Sequence, residues 1–161
     1  MPPSADPPPP AVTPAPPDPG VASLYQEIIL SHYRAPRHRG ALPGVAAGAE
    51  HRNPLCGDMI SVQLAVDGAC IRDAAFAARA CSITQATASM LLSRIIGGSV
   101  QDATAIVSRV EQLIESGAPL TDVEAAELGD LRSLASVARF PARKACVRLV
   151  TGALHEAIAT G

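Results

Sequence analysis

The stretch Met59-Ile-Ser-Val-Gln-Leu-Ala-Val-Asp-Gly68 decides the fold. Ile60, Val62, Leu64 and Val66 alternate with Ser61, Gln63 and Ala65, and a period of two belongs to a strand with one buried face. Asp67-Gly68 is a hairpin turn signal, so a second strand is expected over about 70–78, carrying Ile71 and Phe76. A lone hairpin is marginal in water, and a third strand is expected from 43–51. Beyond Arg79 the pattern turns helical. Ser82-Ile-Thr-Gln85 matches a capping box, with Ser82 as N-cap and Gln85 at the third helical position. That helix runs to Ile96 and stops at Gly97-Gly98. Strands first and helices later predict an α+β fold, a small antiparallel sheet of about three strands packed against several helices.

Leu24, Tyr25, Ile28, Ile29 and Tyr33 recur at helical spacing and predict a helix over 22–34, ended by Pro36. Residues 35–50, rich in Gly, Pro and Ala, read as a loop or an irregular strand. Ser99-Val-Gln-Asp102 resembles a second helix start, leading to about Glu115. Residues 116–129 read as a loop with some helical content. Leu131, Leu134 and Val137 suggest a short helix, and Pro141 suits the first turn of the last one. Cys146, Leu149, Val150, Ala153, Leu154 and Ile158 give that helix its apolar stripe. Ten of the fifteen prolines fall within residues 1–20. That stretch cannot form a regular hydrogen-bonded ladder and has little to bury, so it reads as a disordered or polyproline-like tail before a domain at 21–161. No internal repeat is visible.

Composition narrows the function. Apolar residues make up 48% of the chain but aromatic ones only 2%; alanine and small aliphatics must fill the core. The formal net charge is −2, so no basic field exists to hold nucleic acid or an anionic membrane. Few aromatics also means no base-stacking platform. The uncharged stretch Ala80–Ser93 falls short of the roughly 20 apolar residues of a membrane span. No basic and apolar leader opens the chain, so a reducing cytoplasm is the expected compartment. The four cysteines then read as ligands, nucleophiles or small buried residues rather than disulfide partners.

Three of them lie where the chain changes direction. Cys56 sits in Asn53-Pro-Leu-Cys-Gly-Asp58, where Gly57 permits a sharp turn and Asp58 follows two residues on. Asp58 is a ligand candidate beside Cys56, or only a turn residue bonding its own backbone. Cys81 lies just before the expected N-cap, where unpaired N–H groups favour a thiolate. Cys146 lies in the second turn of the last helix, after Arg143 and Lys144, nearby cations that also favour a thiolate. Three thiolates and one carboxylate suit tetrahedral zinc, and the same soft set suits an iron–sulfur cluster. By spacing alone, a shared site and scattered thiols stand about level. Cys70 lies outside any motif and reads as a small strand residue. His32, His38, His51 and His155 lie in no ligand motif; His32 and His38, among Arg34, Arg37 and Arg39, read as part of a solvated basic face.

The chain resembles the U-type iron–sulfur cluster assembly proteins, IscU, SufU and the N-terminal part of NifU. Four segments carry the likeness: Leu24–Tyr33 with Pro36-Arg-His-Arg-Gly40; Asn53–Asp58; Ala80-Cys-Ser-Ile-Thr-Gln-Ala-Thr-Ala-Ser-Met90; and Phe140-Pro-Ala-Arg-Lys-Ala-Cys146. The stretch Gly117–Leu134, with Leu128-Gly-Asp130, resembles the extra segment that distinguishes SufU from IscU. The resemblance covers about residues 21–158. It implies a SufE/IscU-like fold and zinc held by Cys56, Asp58, Cys81 and Cys146. It also implies sulfur received on Cys146, with Arg143 in electrostatic support, from a SufS-like cysteine desulfurase, among other SUF assembly components. In IscU-like members the same constellation supports assembly of a cluster, which makes iron or a transient cluster the alternative occupant. One departure stands out. Ala145 occupies the position before the last cysteine where the family has Lys or His. Lys144 is rotated from it by about 100° of helix.

Overall fold

The computed structural model describes residues 19–44 and 47–161. Its sheet holds three antiparallel strands in the order β1 (Ala47–Arg52), β2 (Met59–Asp67), β3 (Cys70–Arg79). β2 keeps the alternation of its sequence, with Ile60, Val62 and Leu64 fully buried. Asp67 pairs with Cys70, so the turn proper is Gly68-Ala69, one residue later than the Asp67-Gly68 signal, and Gly68 supplies the positive φ of 62°. Ile71 and Phe76 are five residues apart yet both buried. A register shift opposite Ala65/Val66 inserts one residue into β3 and restores the parity. The third strand lies at 47–52; residues 45–46 of the expected 43–51 fall outside the described residues.

The outer edge of β3 is covered at both ends. Phe76 N–H donates to the His38 carbonyl and Gly40 N–H to that of Phe76, each at 2.9 Å; Gly97 N–H donates to the Ile71 carbonyl at 2.7 Å. Short covering segments of this kind keep a sheet edge from pairing with another chain.

The described residues hold, besides the sheet, five α-helices and one 3₁₀ helix: α1 (Pro19–Arg34), α2 (Ser82–Ile95), α3 (Val100–Ser116), α4 (Asp122–Leu128), the 3₁₀ segment Gly129–Val137, and α5 (Pro141–Thr160). Pro19 and Gly20, assigned by sequence to the tail, begin α1, and the rest of that tail lies outside the described residues. α3 starts on Ser99 as expected, the hydroxyl accepting from Asp102 N–H at 3.0 Å, and ends on Gly117 in the left-handed region. α4 is opened by a capping box of Thr121 and Glu124. Pro141 takes the first turn of α5.

α2 is the central element. Thr84, Ala86, Thr87, Ala88, Ser89, Met90, Leu91, Leu92 and Ile95 are all buried, so the helix is enclosed on nearly every side. Its alanines and serine let α1 and α5 approach closely. The expected capping box does not form at Ser82. The N-cap is Cys81, Ser82 is the first helical residue, and the Gln85 amide donates to the Ala80 carbonyl at 2.8 Å. Among the described residues, no helix is long and apolar enough to cross a membrane.

His32 does not belong to a solvated face. It is 4% exposed, with Nδ1 at 2.8 Å from Ser89 Oγ on α2 and Nε2 at 2.8 Å from Asp130 in the 3₁₀ helix. Arg34, Arg37, His38 and Arg39 are exposed as expected.

Candidate metal centre

Three chain segments meet at the N-terminal end of α2. The loop 53–58 is fastened by three bonds: Asn53 N–H to the Asp58 carbonyl (2.8 Å), Gly57 N–H to the Asn53 carbonyl (2.8 Å), and Leu55 N–H to Asn53 Oδ1 (3.0 Å). Gly57 at φ 75° reverses the chain, and Asp58 is turned towards α2. Its Oδ2 accepts the Cys81 N–H at 3.2 Å. A carboxylate 23 residues away thus satisfies the N-cap N–H that the third helical residue satisfies in a capping box.

From the other side, the second turn of α5 brings Cys146 to Cys81, sulfur to sulfur at 3.2 Å. Thr84, fully buried in the first turn of α2, sets its hydroxyl 3.5 Å from Cys81 Sγ and also hydrogen-bonds Cys146. One ligand atom each from Asp58, Cys81 and Cys146 lie within 4.8 Å of one another. Cys56 is not in this group; it is exposed in the loop that carries Asp58.

The Cys146 thiol is pushed up from 9.0 to about 12. Burial is the main cause, followed by the hydrogen bond and negative charge of Cys81 and then by Asp58; the Thr84 hydrogen bond acts the other way. The cations at 143 and 144 were expected to favour the thiolate. Instead the Arg143 guanidinium lies 4.4 Å over the Phe140 ring, a cation–π contact on the exposed start of α5. Burial, with Cys81 and Asp58 crowded beside it, is what disfavours the Cys146 thiolate.

That crowding is what a cation would relieve, and the donor set fits zinc. Sulfurs bound at ~2.3 Å to one tetrahedral ion stand roughly 3.8 Å apart, so this pair needs only a small opening. Among the described residues no histidine joins the group; His32 pairs with Asp130, His51 with Glu156 and His155 with Glu111, and His38 is exposed. Cys70 is half-buried in β3, paired with Asp67 in register. Thr84 escaped the sequence reading altogether. Its signal is a hydroxyl three residues after Cys81, one helical turn on.

The profile of the NifU-like N terminal domain matches residues 24–147, a span that holds Cys56, Asp58, Cys81 and Cys146. The chain belongs to that NifU-like family. It is 37% identical to the iron–sulfur cluster assembly scaffold protein IscU of Streptococcus pyogenes serotype M1, over 84% of this chain and 82% of that protein. It is 34% identical to the zinc-dependent sulfurtransferase SufU of Bacillus subtilis (strain 168), over 85% of this chain and 90% of that one. A crystal structure from Fervidobacterium islandicum AW-1, assigned as an iron–sulfur cluster assembly scaffold protein for the SUF system, superposes with a TM-score of 0.74 at 25% identity. It covers 84% of this chain and 97% of its own. The NifU-like domain here thus shares its α+β architecture with a SUF-system relative, and its candidate ligands lie within the matched span.

Proposed function

We propose that this NifU-like protein serves iron–sulfur cluster assembly of the SUF type as a zinc-dependent acceptor and carrier of persulfide sulfur from a cysteine desulfurase. The observation that carries this reading is the convergence of Cys81, Cys146 and Asp58 at an accessible helix end, with the two sulfurs 3.2 Å apart. The likeness to a relative named for zinc-dependent sulfur transfer supports it. So does the SufU-like segment 117–134, which here supplies α4 and the His32 partner Asp130.

Cys81, Cys146 and Asp58 would hold the zinc, and Cys56 would supply the fourth ligand by a movement of its exposed loop. Bound zinc would supply positive charge that keeps the thiols ionised and aligned. Cys146, half-buried in α5, is the sulfur acceptor. Its thiolate attacks the outer sulfur of the desulfurase persulfide. The new sulfur–sulfur bond forms on Cys146 as the old one breaks, and the desulfurase cysteine leaves as a thiolate. Arg143 and Arg139, flanking the half-exposed Phe140, place positive charge where an anionic persulfide would approach. Leu55 stands 95% exposed beside Cys56 and offers apolar surface to a partner. The expected compartment is the cytoplasm.

The competing reading is a scaffold on which iron and sulfide assemble, and the IscU relative favours it. One experiment separates the two. The protein is purified without oxygen, its zinc, iron and acid-labile sulfide are measured, and it is then incubated with a cysteine desulfurase and cysteine. About one zinc per chain and a gain of one sulfur atom on Cys146 by mass spectrometry support the carrier. Iron with matching sulfide, and no persulfide on Cys146, would replace it with the scaffold.

A further inference from the structure

Thr84 is fully buried at the third position of α2. A threonine inside a helix ordinarily returns its hydroxyl to a carbonyl three or four residues back. Every other threonine described inside a helix does so: Thr87 to Ile83, Thr104 to Val100, Thr151 to Arg148, Thr160 to Ala157. Thr84 does not. The carbonyls three and four residues back take Gln85 instead, Ala80 its side-chain amide at 2.8 Å and Cys81 its N–H at 3.2 Å. Its hydroxyl is turned instead to the sulfurs of Cys81 and Cys146.

We infer that Thr84 is a positioning residue of the metal centre, a buried hydroxyl whose single proton is shared between the ligand sulfurs of Cys81 and Cys146 and fixes their orientation. The inference rests on the zinc reading above. A thiol can donate or accept, but a thiolate only accepts. When both sulfurs are ionised they can only accept, and Thr84 is the donor by necessity. A hydrogen bond to a ligating sulfur tempers its charge and holds its side-chain angle, and loss of such support weakens metal binding. Thr84 is itself fully buried, so its hydroxyl has no solvent to turn to.

The test compares Thr84→Val, which keeps the shape and removes the hydroxyl, with Thr84→Ser, which restores it. Zinc affinity is measured on the full chain by competition with a chelator. In parallel, the sulfur-to-metal charge-transfer band of the cobalt(II)-substituted protein is recorded. Thr84→Val is expected to bind zinc about 10–100-fold more weakly with a shifted band, and Thr84→Ser to recover both. Thr84→Ala replaces the valine variant should that one not fold. Wild-type affinity and an unchanged band in the hydroxyl-free variant would overturn the inference. So would a folded Thr84→Ser that fails to recover, since the methyl and not the hydroxyl would then matter. A parent protein that binds no zinc would remove the metal reading itself, a result distinct from either.

Discussion

The sulfur of Cys81 lies 3.2 Å from the sulfur of Cys146, one at the N-cap of α2 and the other in the second turn of α5. A disulfide needs about 2.0 Å, so closing the bond requires little movement. A peroxide should therefore oxidise the metal-free protein to an internal Cys81–Cys146 disulfide. The exposed Cys81 is converted first to a sulfenic acid with loss of hydroxide, and Cys146 then displaces water from it. Peptide mapping under non-reducing conditions should find this pair, and the oxidised protein should take up no zinc until reduced. A bridge from Cys56 to either partner as the main product would contradict the geometry.

Zinc uptake should release a proton from Cys146. In the metal-free state that thiol is pushed up to about 12, chiefly by burial and by Cys81, so it stays protonated through the neutral range and must ionise to bind. Calorimetry in buffers of different ionisation enthalpy counts the protons, and apparent affinity should weaken as pH falls. The metal-free fold itself should respond in the alkaline range. A thiol raised in the folded state favours the fold below its ordinary value of 9.0, and that contribution is lost as pH rises through about 12. Uptake without proton release from Cys146 would show that the thiol is already ionised.

Asp58 has two tasks, ligand candidate and acceptor of the Cys81 N–H at 3.2 Å. Asp58→Ala should lower zinc affinity by more than the roughly 10–100-fold that follows loss of a supporting hydrogen bond. Asp58→Asn keeps an acceptor for the N–H but loses the charge, so it should restore the helix start without restoring the metal. Chelator competition alongside hydrogen exchange at Cys81 separates the two tasks. Equal zinc affinity in the parent and Asp58→Ala would remove the carboxylate from the site.

What was legible in the sequence is what local pattern controls. β2 and its hairpin declare themselves because one face of the strand is buried and the other is not. Pro141 and the Ser99 cap act on their own turns. Cys56, Asp58, Cys81 and Cys146 are candidates from their motifs; the fold brings the last three together and leaves Cys56 outside the group. Illegible features depend on distant partners. Cys81 caps α2 in place of Ser82 because Asp58, 23 residues earlier, takes its N–H. His32 sits among arginines in sequence, yet Asp130, 98 residues on, makes it a buried tie. The parity break in β3 shows only in its register with β2.

The His32 tie should carry stability rather than chemistry. Its ring joins α1 to Ser89 of α2 and to Asp130 of the 3₁₀ helix, both at 2.8 Å. His32→Leu removes one buried and one part-buried hydrogen bond and should cost about 1–3 kcal/mol, read by urea unfolding of the metal-free protein. Asp130→Ala should cost less, because that carboxylate is half-exposed. Persulfide loading of Cys146 should be unchanged in whatever fraction remains folded. An unchanged unfolding midpoint in His32→Leu would mean that the tie contributes nothing to stability.

Gly152 sets how closely α5 lies on β1. A Cβ at that position would stand 3.0 Å from His51 Nδ1 and 3.2 Å from Cε1. His51 has little freedom to retreat, since its Nε2 is paired with Glu156 one turn further along the same helix. Gly152→Ala should therefore destabilise the protein by about 1–3 kcal/mol, the usual cost of overpacking, even though alanine is the better helix former. His51→Ala removes the atoms that the new methyl would meet. The double variant should then be more stable than the two single effects predict, the signature of direct contact in a double-mutant cycle. Additive effects would place the strain of Gly152→Ala elsewhere than against His51.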